Sequence, residues 1–353
     1  MSYIVSGIQQ IGIGVSNVHE AFKWYNKNLG FDVPVFEEAA TAGLMLPYTG
    51  GEPRDRHAIL AMNLQGGGGF EIWQYTSKVP EKAQFDIQLG DLGIFICKLK
   101  TPDIKAAYND LKEKGVQLLT EITHSPAGYQ HFYFQGLFGN IFEVIPSKVW
   151  FNNINYKIGG VAGATIGVSD MEKSIDFYQK VLGFDQILSD SVARFDDFKN
   201  LPGGNETYRR VILTHSKPRI GRFNKLLDGG TIELVQSKDR SPKKIYENRM
   251  WGDLGYIHLC FDVIGMEELR EACSKYGSPF TVDSANSFDM GEAAGHFSYI
   301  EAPEGTLIEF VETHKIPIFK KIGWYLDLQK RPKEKSLPNW ILKSLKYMRV
   351  KHK

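Results

Sequence analysis

The sequence lacks the features that direct a chain into a membrane or out of the cell. No run of 18 uncharged apolar residues occurs, and the opening MSYIVSGIQQIG has no basic segment followed by an apolar one. The three cysteines, Cys97, Cys260 and Cys273, have no CxxC spacing, so we expect neither a disulfide framework nor a thiolate zinc site. These absences predict a globular protein of the reducing cytoplasm.

Nucleotide-binding motifs are also missing. The run from Gly66 to Gly69 lacks the GK[ST] of a phosphate loop and precedes a predicted strand, so we expect a turn there. No Gly-x-Gly-x-x-Gly follows a predicted strand either. The sequence therefore argues against a dinucleotide cofactor.

The chain as a whole has little excess of either charge, but the distribution is uneven. Residues 313–353 contain 12 Lys or Arg and 2 acidic residues, whereas the rest contains 30 and 39. Because the body is acidic, we expect no nucleic-acid partner for it. In the tail, Pro332 and Pro338 prevent one continuous helix, so we expect two short amphipathic segments. These segments either dock on the acidic body or lie on an anionic membrane or partner.

A repeat is the main feature that the sequence does contain. The segment IQQIGIGVSNVHEAFKWYNKNLGFDV (8–33) matches VAGATIGVSDMEKSIDFYQKVLGFDQ (161–186), which indicates that the chain is a duplication. Each half divides again, because GDLGIFICKL from Gly90 matches GDLGYIHLCF from Gly252 and each is followed by a helical pattern. We therefore expect four units of similar length.

Each unit has a readable pattern of strands and one helix. The first begins with an alternating strand, and Asn17 then caps a helix that Gly30 ends. The unit closes with a strand that follows a glycine-rich turn: GGFEIWQY, GNIFEVIP, GGTIELVQ and GTLIEFVE. These four strands carry one glutamate each in the same place, namely Glu71, Glu143, Glu233 and Glu309.

With these motifs the chain resembles the vicinal oxygen chelate superfamily, which includes glyoxalase I, methylmalonyl-CoA epimerase, extradiol dioxygenases and bleomycin resistance proteins. The shared motifs are the opening I-x-Q-x-I-x-I-x-V-x-[ND], the helix with W/F-Y and LGF, and the closing G-x-x-x-E strand. The resemblance implies an α+β fold of four tandem βαβββ modules that form two curved mixed sheets enclosing cavities. The corresponding domains are two glyoxalase-like halves, 1–150 and 151–312, and a basic C-terminal extension, 313–353.

The family takes its metal ligands from one position on the first strand of a unit and from the glutamate on its last strand. The resemblance places the first-strand position at Gln10, Ile96, Gly163 and His258, and neither Ile96 nor Gly163 can coordinate a metal. A slip of one residue would exchange Gln10 for Gln9.

Two pairings of the units are open. Pairing within each half leaves two incomplete sets. Pairing unit one with unit four unites Gln10, Glu71, His258 and Glu309, in the order of a human-type glyoxalase I, and leaves a decayed site with Glu143 and Glu233. We favour the second pairing, because one intact and one dead site is what ligand loss from a duplicated enzyme leaves.

The resemblance implies a metal-dependent lyase or isomerase of glyoxalase type. One divalent ion (Zn, Ni, Mn or Fe) would bind two vicinal oxygens of a small-molecule substrate and stabilise an enediolate, with Glu309 or Glu71 as general base. The alternatives are an extradiol-type dioxygenase, which needs two His and one carboxylate, and a metal-free protein that sequesters a small molecule. The chain is expected to be a monomer or homodimer.

Further polar side chains have two open interpretations each. His131 and His296 precede similar strands and are either structural or part of a cavity wall. Four arginines either bind an acidic group of the substrate or lie on the solvated surface: Arg54, Arg56, Arg209 and Arg210.

Overall fold

The computed structural model describes residues 3–285, 288–290, 293–319 and 324–351. The first unit contains β1 (Ile4–Gly14), α1 (Val18–Leu29), β2 (Val33–Thr41), β3 (Asp55–Met62) and β4 (Gly69–Tyr75). The second contains β5 (Gly93–Thr101), α2 (Ile104–Glu113), β6 (Gln117–Leu118), β7 (Thr123–His124), β8 (Gln130–Gln135) and β9 (Ile141–Pro146). The first half therefore has the predicted βαβββ order twice, with one additional short strand in its second unit.

The second half repeats this order. Its first unit contains β10 (Val161–Gly167), α3 (Met171–Lys180), β11 (Gln186–Ala193), β12 (Tyr208–Thr214), the short α4 (Asn224–Leu227) and β13 (Thr231–Ser237). Its second contains β14 (Gly255–Ile264), α5 (Met266–Lys275), β15 (Val282–Asp283), β16 (Phe288–Met290), β17 (Ala293–Glu301) and β18 (Leu307–Phe319). Short 3-10 helices lie at Leu46–Tyr48, Asp196–Phe198 and Leu345–Met348.

The local sequence signals explain where α1 begins and ends. The Asn17 side chain accepts a hydrogen bond of 3.0 Å from the Glu20 backbone N–H, which satisfies a free donor of the first turn. Gly30 follows the helix with φ of 75°, a left-handed conformation that glycine adopts at little cost. The run from Gly66 to Gly69 lies at the hairpin between β3 and β4, as predicted.

The strands form two mixed sheets, and each sheet takes one unit from each half. In the described chain the first has ten strands, in the order β15-β17-β18-β14-β1-β4-β3-β2 with β16 and β19 (Trp324–Asp327) beside it. The second has nine strands, in the order β11-β12-β13-β10-β5-β9-β8-β6 with β7 beside it. The predicted α+β class with two curved mixed sheets is confirmed. The domain boundaries at 150 and 312 stay predictions.

The helices pack between the sheets and join them in one core. Tyr25 of α1 shows how, because its ring lies 4.8 Å from Phe70 of the first sheet and 6.2 Å from Phe142 of the second. The same buried cluster contains residues of α2, α3 and α5. The opposite face of the first sheet lines a cavity, whereas that of the second sheet is covered by buried side chains such as Ile96, Tyr133 and Val235.

The described part of the tail packs on the body. After β18 and β19, the chain reaches α6 (Asn339–Ser344), and the buried tail residues contact an apolar patch that includes Leu60 and Leu226. Arg349 Nε lies 2.6 Å from the buried Asp32 carboxylate. Of the two interpretations of the tail, docking on the body is the one that these contacts support. The first of the two segments predicted for the tail contains strand β19. Residues 320–323 of the tail lie outside the described part.

No helix in the described ranges is both long enough and apolar enough to span a bilayer.

Candidate metal centre

The strand order confirms that unit one pairs with unit four. β1 lies between β4, to which it is parallel, and β14, to which it is antiparallel, and β14 is parallel to β18. These four neighbouring strands carry Gln10, Glu71, His258 and Glu309, the set that the cross-pairing predicts. The site is thus formed within one chain, from its first and last units.

The register explains why these side chains share one face. Glu71 lies beside Gly12 of β1, and Glu309 lies beside Cys260 of β14. Gln10 and His258 each precede these partners by two residues, and side chains two apart on a strand point the same way. The other two units repeat this relation, with Glu143 beside Lys98 and Glu233 beside Thr165, so the four projected first-strand positions are equivalent in the fold.

The four side chains converge closely. His258 Nε2 lies 3.3 Å from Glu71 Oε2 and 3.1 Å from Glu309 Oε2. Gln10 Nε2 lies 3.5 Å and 3.2 Å from the same two oxygens. The ligand atoms of an ion with bonds of about 2.0 to 2.2 Å are separated by comparable distances, so the spacing fits a first-row divalent ion.

Unpartnered polar atoms also fit such an ion. Nδ1 of the fully buried His258 and Oε1 of Gln10 have no hydrogen-bond partner in the described part of the chain, and His258 Nε2 approaches the two carboxylates without hydrogen-bond geometry. Buried polar atoms without partners are costly, and a metal would satisfy one imidazole nitrogen and the amide oxygen. Rotation of the Gln10 amide by half a turn brings Oε1 to the position that Nε2 holds, and the two atoms are nearly equal in size.

The electrostatics of the centre favour a positive charge between the carboxylates. Burial alone lowers the pKa of His258, but the carboxylates of Glu309 and Glu71 outweigh burial and raise the pKa to about 9. Burial raises the pKa of Glu309, but the nearby His258 lowers it by more. The pKa of Glu309 therefore lies below its usual value. A divalent cation would supply this positive charge and leave the imidazole neutral as a ligand.

Two packing features hold the imidazole in place. The ring of His258 lies nearly parallel to Trp251, at 14° and 6.3 Å between centroids, and edge-on to Tyr299 at 5.4 Å. Gly12 lies directly opposite, and a Cβ atom there would come within 2.4 Å of His258 Cε1. The glycine at this position therefore makes room for the ring, a role that the alternating strand pattern does not reveal.

A cavity of about 360 Å³ opens onto the centre. Gln10, Glu71 and Glu309 lie in its wall, which also contains five aromatic side chains: Phe36, Trp73, Trp251, Phe297 and Tyr299. The wall includes one described cation, Arg56, which is paired with Glu38 at 2.8 Å. Gln9 also lines the cavity, since a bulge between Ile8 and Gln10 disturbs the strict alternation of β1.

The second sheet has an equivalent centre with different chemistry. Lys98 lies in register with Glu143, and its Nζ contacts the Glu143 carboxylate and lies 2.5 Å from Glu233 Oε2. All three side chains are fully buried. An ammonium group of the chain thus stands between the two carboxylates, while Ile96 and Gly163 contribute no ligand.

Three further groups complete this ion-pair network. Arg210 contacts Glu233 through Nε and lies 2.6 Å from Asp197 Oδ2 through Nη1. His131 Nδ1 lies 2.7 Å from Glu143 Oε1, and its Nε2 lies 3.2 Å from Asp197. Burial opposes a charge on His131, but Asp197 and Glu143 outweigh it and raise its pKa. His131 is therefore structural, and Arg210 is buried in the network rather than on the surface or at a substrate.

The remaining candidates lie apart from the centre. Arg54 pairs with Glu52 at 3.0 Å, and His296 Nε2 lies 2.5 Å from Asp283. Arg209 of β12 donates to Asp190 of the edge strand β11, at 3.0 Å through Nε and 2.8 Å through Nη2. Of the four arginines, Arg56 alone appears in the described wall of the cavity.

Comparisons with known proteins agree with the architecture. The family model for the Glyoxalase/Bleomycin resistance protein/Dioxygenase superfamily matches residues 7–144 and 160–310. No curated protein sequence matches the chain.

Two solved structures show the same likeness of fold. One is a Bacillus subtilis protein provisionally assigned as a dioxygenase, with a TM-score of 0.56 and 15% identity over 88% of this chain and 86% of that one. The other is glyoxalase I from Zea mays, with a TM-score of 0.50 and 13% identity over 87% of this chain and 92% of that one. The match to the family model covers both halves and all four glutamate strands. The chain therefore belongs to the glyoxalase/bleomycin resistance protein/dioxygenase superfamily.

Proposed function

We propose that the chain binds one divalent metal ion at Gln10, Glu71, His258 and Glu309 and acts as a glyoxalase-type lyase or isomerase. The observation that carries the proposal is the convergence of one imidazole, two carboxylates and one amide at separations of 3.1 to 3.5 Å. Zinc, nickel, manganese and iron all accept this mixture of donors. Four protein ligands leave coordination positions for two oxygens of a substrate.

The two glutamates are proposed to move the proton. A bound ion would act as a Lewis acid on two vicinal oxygens of the substrate and stabilise the negative charge that develops on them. Glu71 and Glu309 face the cavity from β4 and β18, so either carboxylate can reach a carbon next to a substrate carbonyl. A positioned general base contributes about 100- to 10,000-fold to the rate.

The cavity wall favours a small substrate without negative charge. Its polar groups are mainly carboxylates, and its one described cation is already paired with Glu38. A substrate that carries several carboxylates, as a glutathione conjugate does, would meet unfavourable potential there. The aromatic side chains suit an apolar or planar body beside the two vicinal oxygens.

The donor set argues against the dioxygenase alternative. Non-haem iron oxygenases use two histidines and one carboxylate, whereas this centre offers one histidine, two carboxylates and an amide. A binding protein without metal remains the second candidate, because the cavity with its aromatic wall would also suit sequestration of a small molecule. The set is complete within one chain, so a monomer or a homodimer serves equally well.

Metal analysis and a substrate screen together test the proposal. Protein purified without an affinity-tag metal is loaded with zinc, nickel, manganese or iron and assayed on hemithioacetals, acyl-CoA esters and catechols. We expect turnover of an uncharged hemithioacetal or related α-oxo compound that is lost in Glu309→Gln while part of the metal is kept. Ring cleavage of a catechol with oxygen uptake would favour the dioxygenase. Tight binding of a small molecule by metal-free protein would favour sequestration.

A further inference from the structure

A second group of possible ligands lies on the other face of the first sheet. His57 Nε2 lies 3.1 Å from Glu37 Oε1, and His19 Nδ1 lies 3.7 Å from the same oxygen. The ligand atoms of all three side chains fall within 4.8 Å of one another, and the two imidazole rings meet edge to face at 5.0 Å. Two imidazoles and one carboxylate are thus directed at one another from three different elements.

The side chains of this group point away from the proposed metal centre, although Glu37 also borders the cavity that opens onto that centre. Glu37 of β2 lies opposite Ile59, and His57 of β3 lies opposite Ala39, so both side chains are on the face that helix α1 covers. Phe36 and Leu60, one position away, point to the other face together with Glu71. His19 completes the group from the first turn of α1. The two groups can therefore bind ions independently.

The geometry suits a tetrahedral ion. Ligand atoms held at about 2.0 to 2.2 Å from zinc are roughly 3.3 to 3.5 Å apart, and the two separations of 3.1 and 3.7 Å bracket this range. Two imidazole nitrogens select zinc, nickel or cobalt over magnesium and calcium, which prefer oxygen.

We propose that His19, Glu37 and His57 form a second divalent metal site of zinc type. Its three protein ligands leave one position for water, and a bound ion ties the start of α1 to β2 and β3. β2 is the last strand of the described sheet, and its other face carries Phe36 and Glu38 of the cavity wall. The site binds more weakly than the buried centre, because His19 and Glu37 are 65% and 48% exposed and lose side-chain freedom on binding.

Zinc titration of the full chain tests this site. We expect wild type to bind two equivalents, and His19→Ala and His57→Ala to bind one each. His124→Ala, which removes an exposed histidine outside the group, serves as the matched control and should bind two. His258→Ala should retain one weaker equivalent that disappears when His57→Ala is added, and an excess of magnesium should not displace it.

The outcomes separate this proposal from the proposed function. If the buried centre binds no metal, wild type still binds one equivalent, and His57→Ala removes it. If His19→Ala and His57→Ala both bind as much zinc as wild type, or if His258→Ala binds none, the second site is wrong. His57→Gln gives a less disruptive variant of the same position, and it should weaken zinc binding at least about tenfold.

Discussion

Each sheet has a centre with two glutamate carboxylates, and the two centres differ in the groups that surround these carboxylates. In the first sheet, Glu71 and Glu309 are 13% and 10% exposed, face a cavity and share a histidine and a glutamine. In the second sheet, Glu143 and Glu233 are fully buried around Lys98. A buried pair of carboxylates requires a nearby positive charge. In the second centre the ammonium group of Lys98 supplies that charge, whereas in the first centre the proposed metal ion would supply it.

The backbone of the second sheet also excludes a ligand side chain at the position of Gly163. Gly163 has φ of 142°, and a Cβ atom there would lie 1.8 Å from the carbonyl oxygen of Thr231. A histidine or glutamine at this position would therefore require the strands β10 and β13 to move apart. Replacing Lys98 alone cannot recreate the ligand set of the first centre, because the backbone at Gly163 leaves no room for a ligand side chain.

Removal of the internal ammonium should produce the largest effect. Lys98→Met leaves two buried carboxylates without their shared cation, and removal of one partner of a buried ion pair typically costs about 3 to 5 kcal/mol. Lys100→Met is the matched control, because Lys100 is also buried on β5, but its Nζ contacts the Asp228 carbonyl oxygen and the Trp150 ring. Urea unfolding measures the loss of folding free energy in each of the two variants. Equal losses in the two variants would contradict the role of Lys98.

A smaller effect is expected from filling the space beside His258. Gly12→Ala should displace the imidazole and weaken metal binding about 10- to 100-fold, since groups that position a ligand typically have effects of this size. Gly43→Ala, where a Cβ atom meets nothing within 4 Å, is the control and should bind metal as wild type does. Competition with a chelator measures the metal affinity of both variants and of wild type. Unchanged affinity in Gly12→Ala would show that the ring does not need this space.

The smallest expected effect is a loss of folding stability at low pH, caused by protonation of a carboxylate in the second centre. Burial raises the pKa of Glu233, but Arg210 and Lys98 reverse this and lower it to about 2. A lowered carboxyl pKa stabilises the fold above its unfolded value near 4.5 and loses that contribution as the pH falls toward 2. The stability advantage of wild type over Glu233→Gln should therefore shrink between pH 5 and 3.

The control for this experiment is Glu113→Gln, at the exposed end of α2. It should follow wild type across the same pH range in urea unfolding. A constant difference between wild type and Glu233→Gln at every pH would mean that the carboxylate of Glu233 is not held in its charged form by the network.

The repeat could be predicted from the sequence itself, whereas the fold class and the ligand set of the first centre were expected from the resemblance to the superfamily. The glutamate strands mark the end of each unit in the sequence, but the choice of Gln10 over Gln9 came from the family pattern, because a bulge between Ile8 and Gln10 disturbs the alternation of β1. The choice between the two pairings needed chemistry as well. Ile96 and Gly163 cannot be ligands, and this alone favoured the arrangement that the strand order confirms.

The second centre could not be predicted in the same way. Lys98 lies in a strand sequence that reads as apolar, and its partners Glu143 and Glu233 lie on strands 45 and 135 residues away. Arg210 and Asp197 join them from the same unit as Glu233. Such a network depends on long-range packing, and the one local signal is a lysine between Cys97 and Leu99, both of which are buried.

The central claim is that the first centre alone takes a metal at this position of the fold. Metal content per chain tests it most directly, measured in a His57→Ala background so that the surface group does not contribute. The account predicts about one tightly bound ion, retained in Glu143→Gln and lost in His258→Ala, since the imidazole is the only nitrogen ligand proposed there. Equal metal content with and without His258, or loss of the ion in Glu143→Gln with an intact fold, would contradict it.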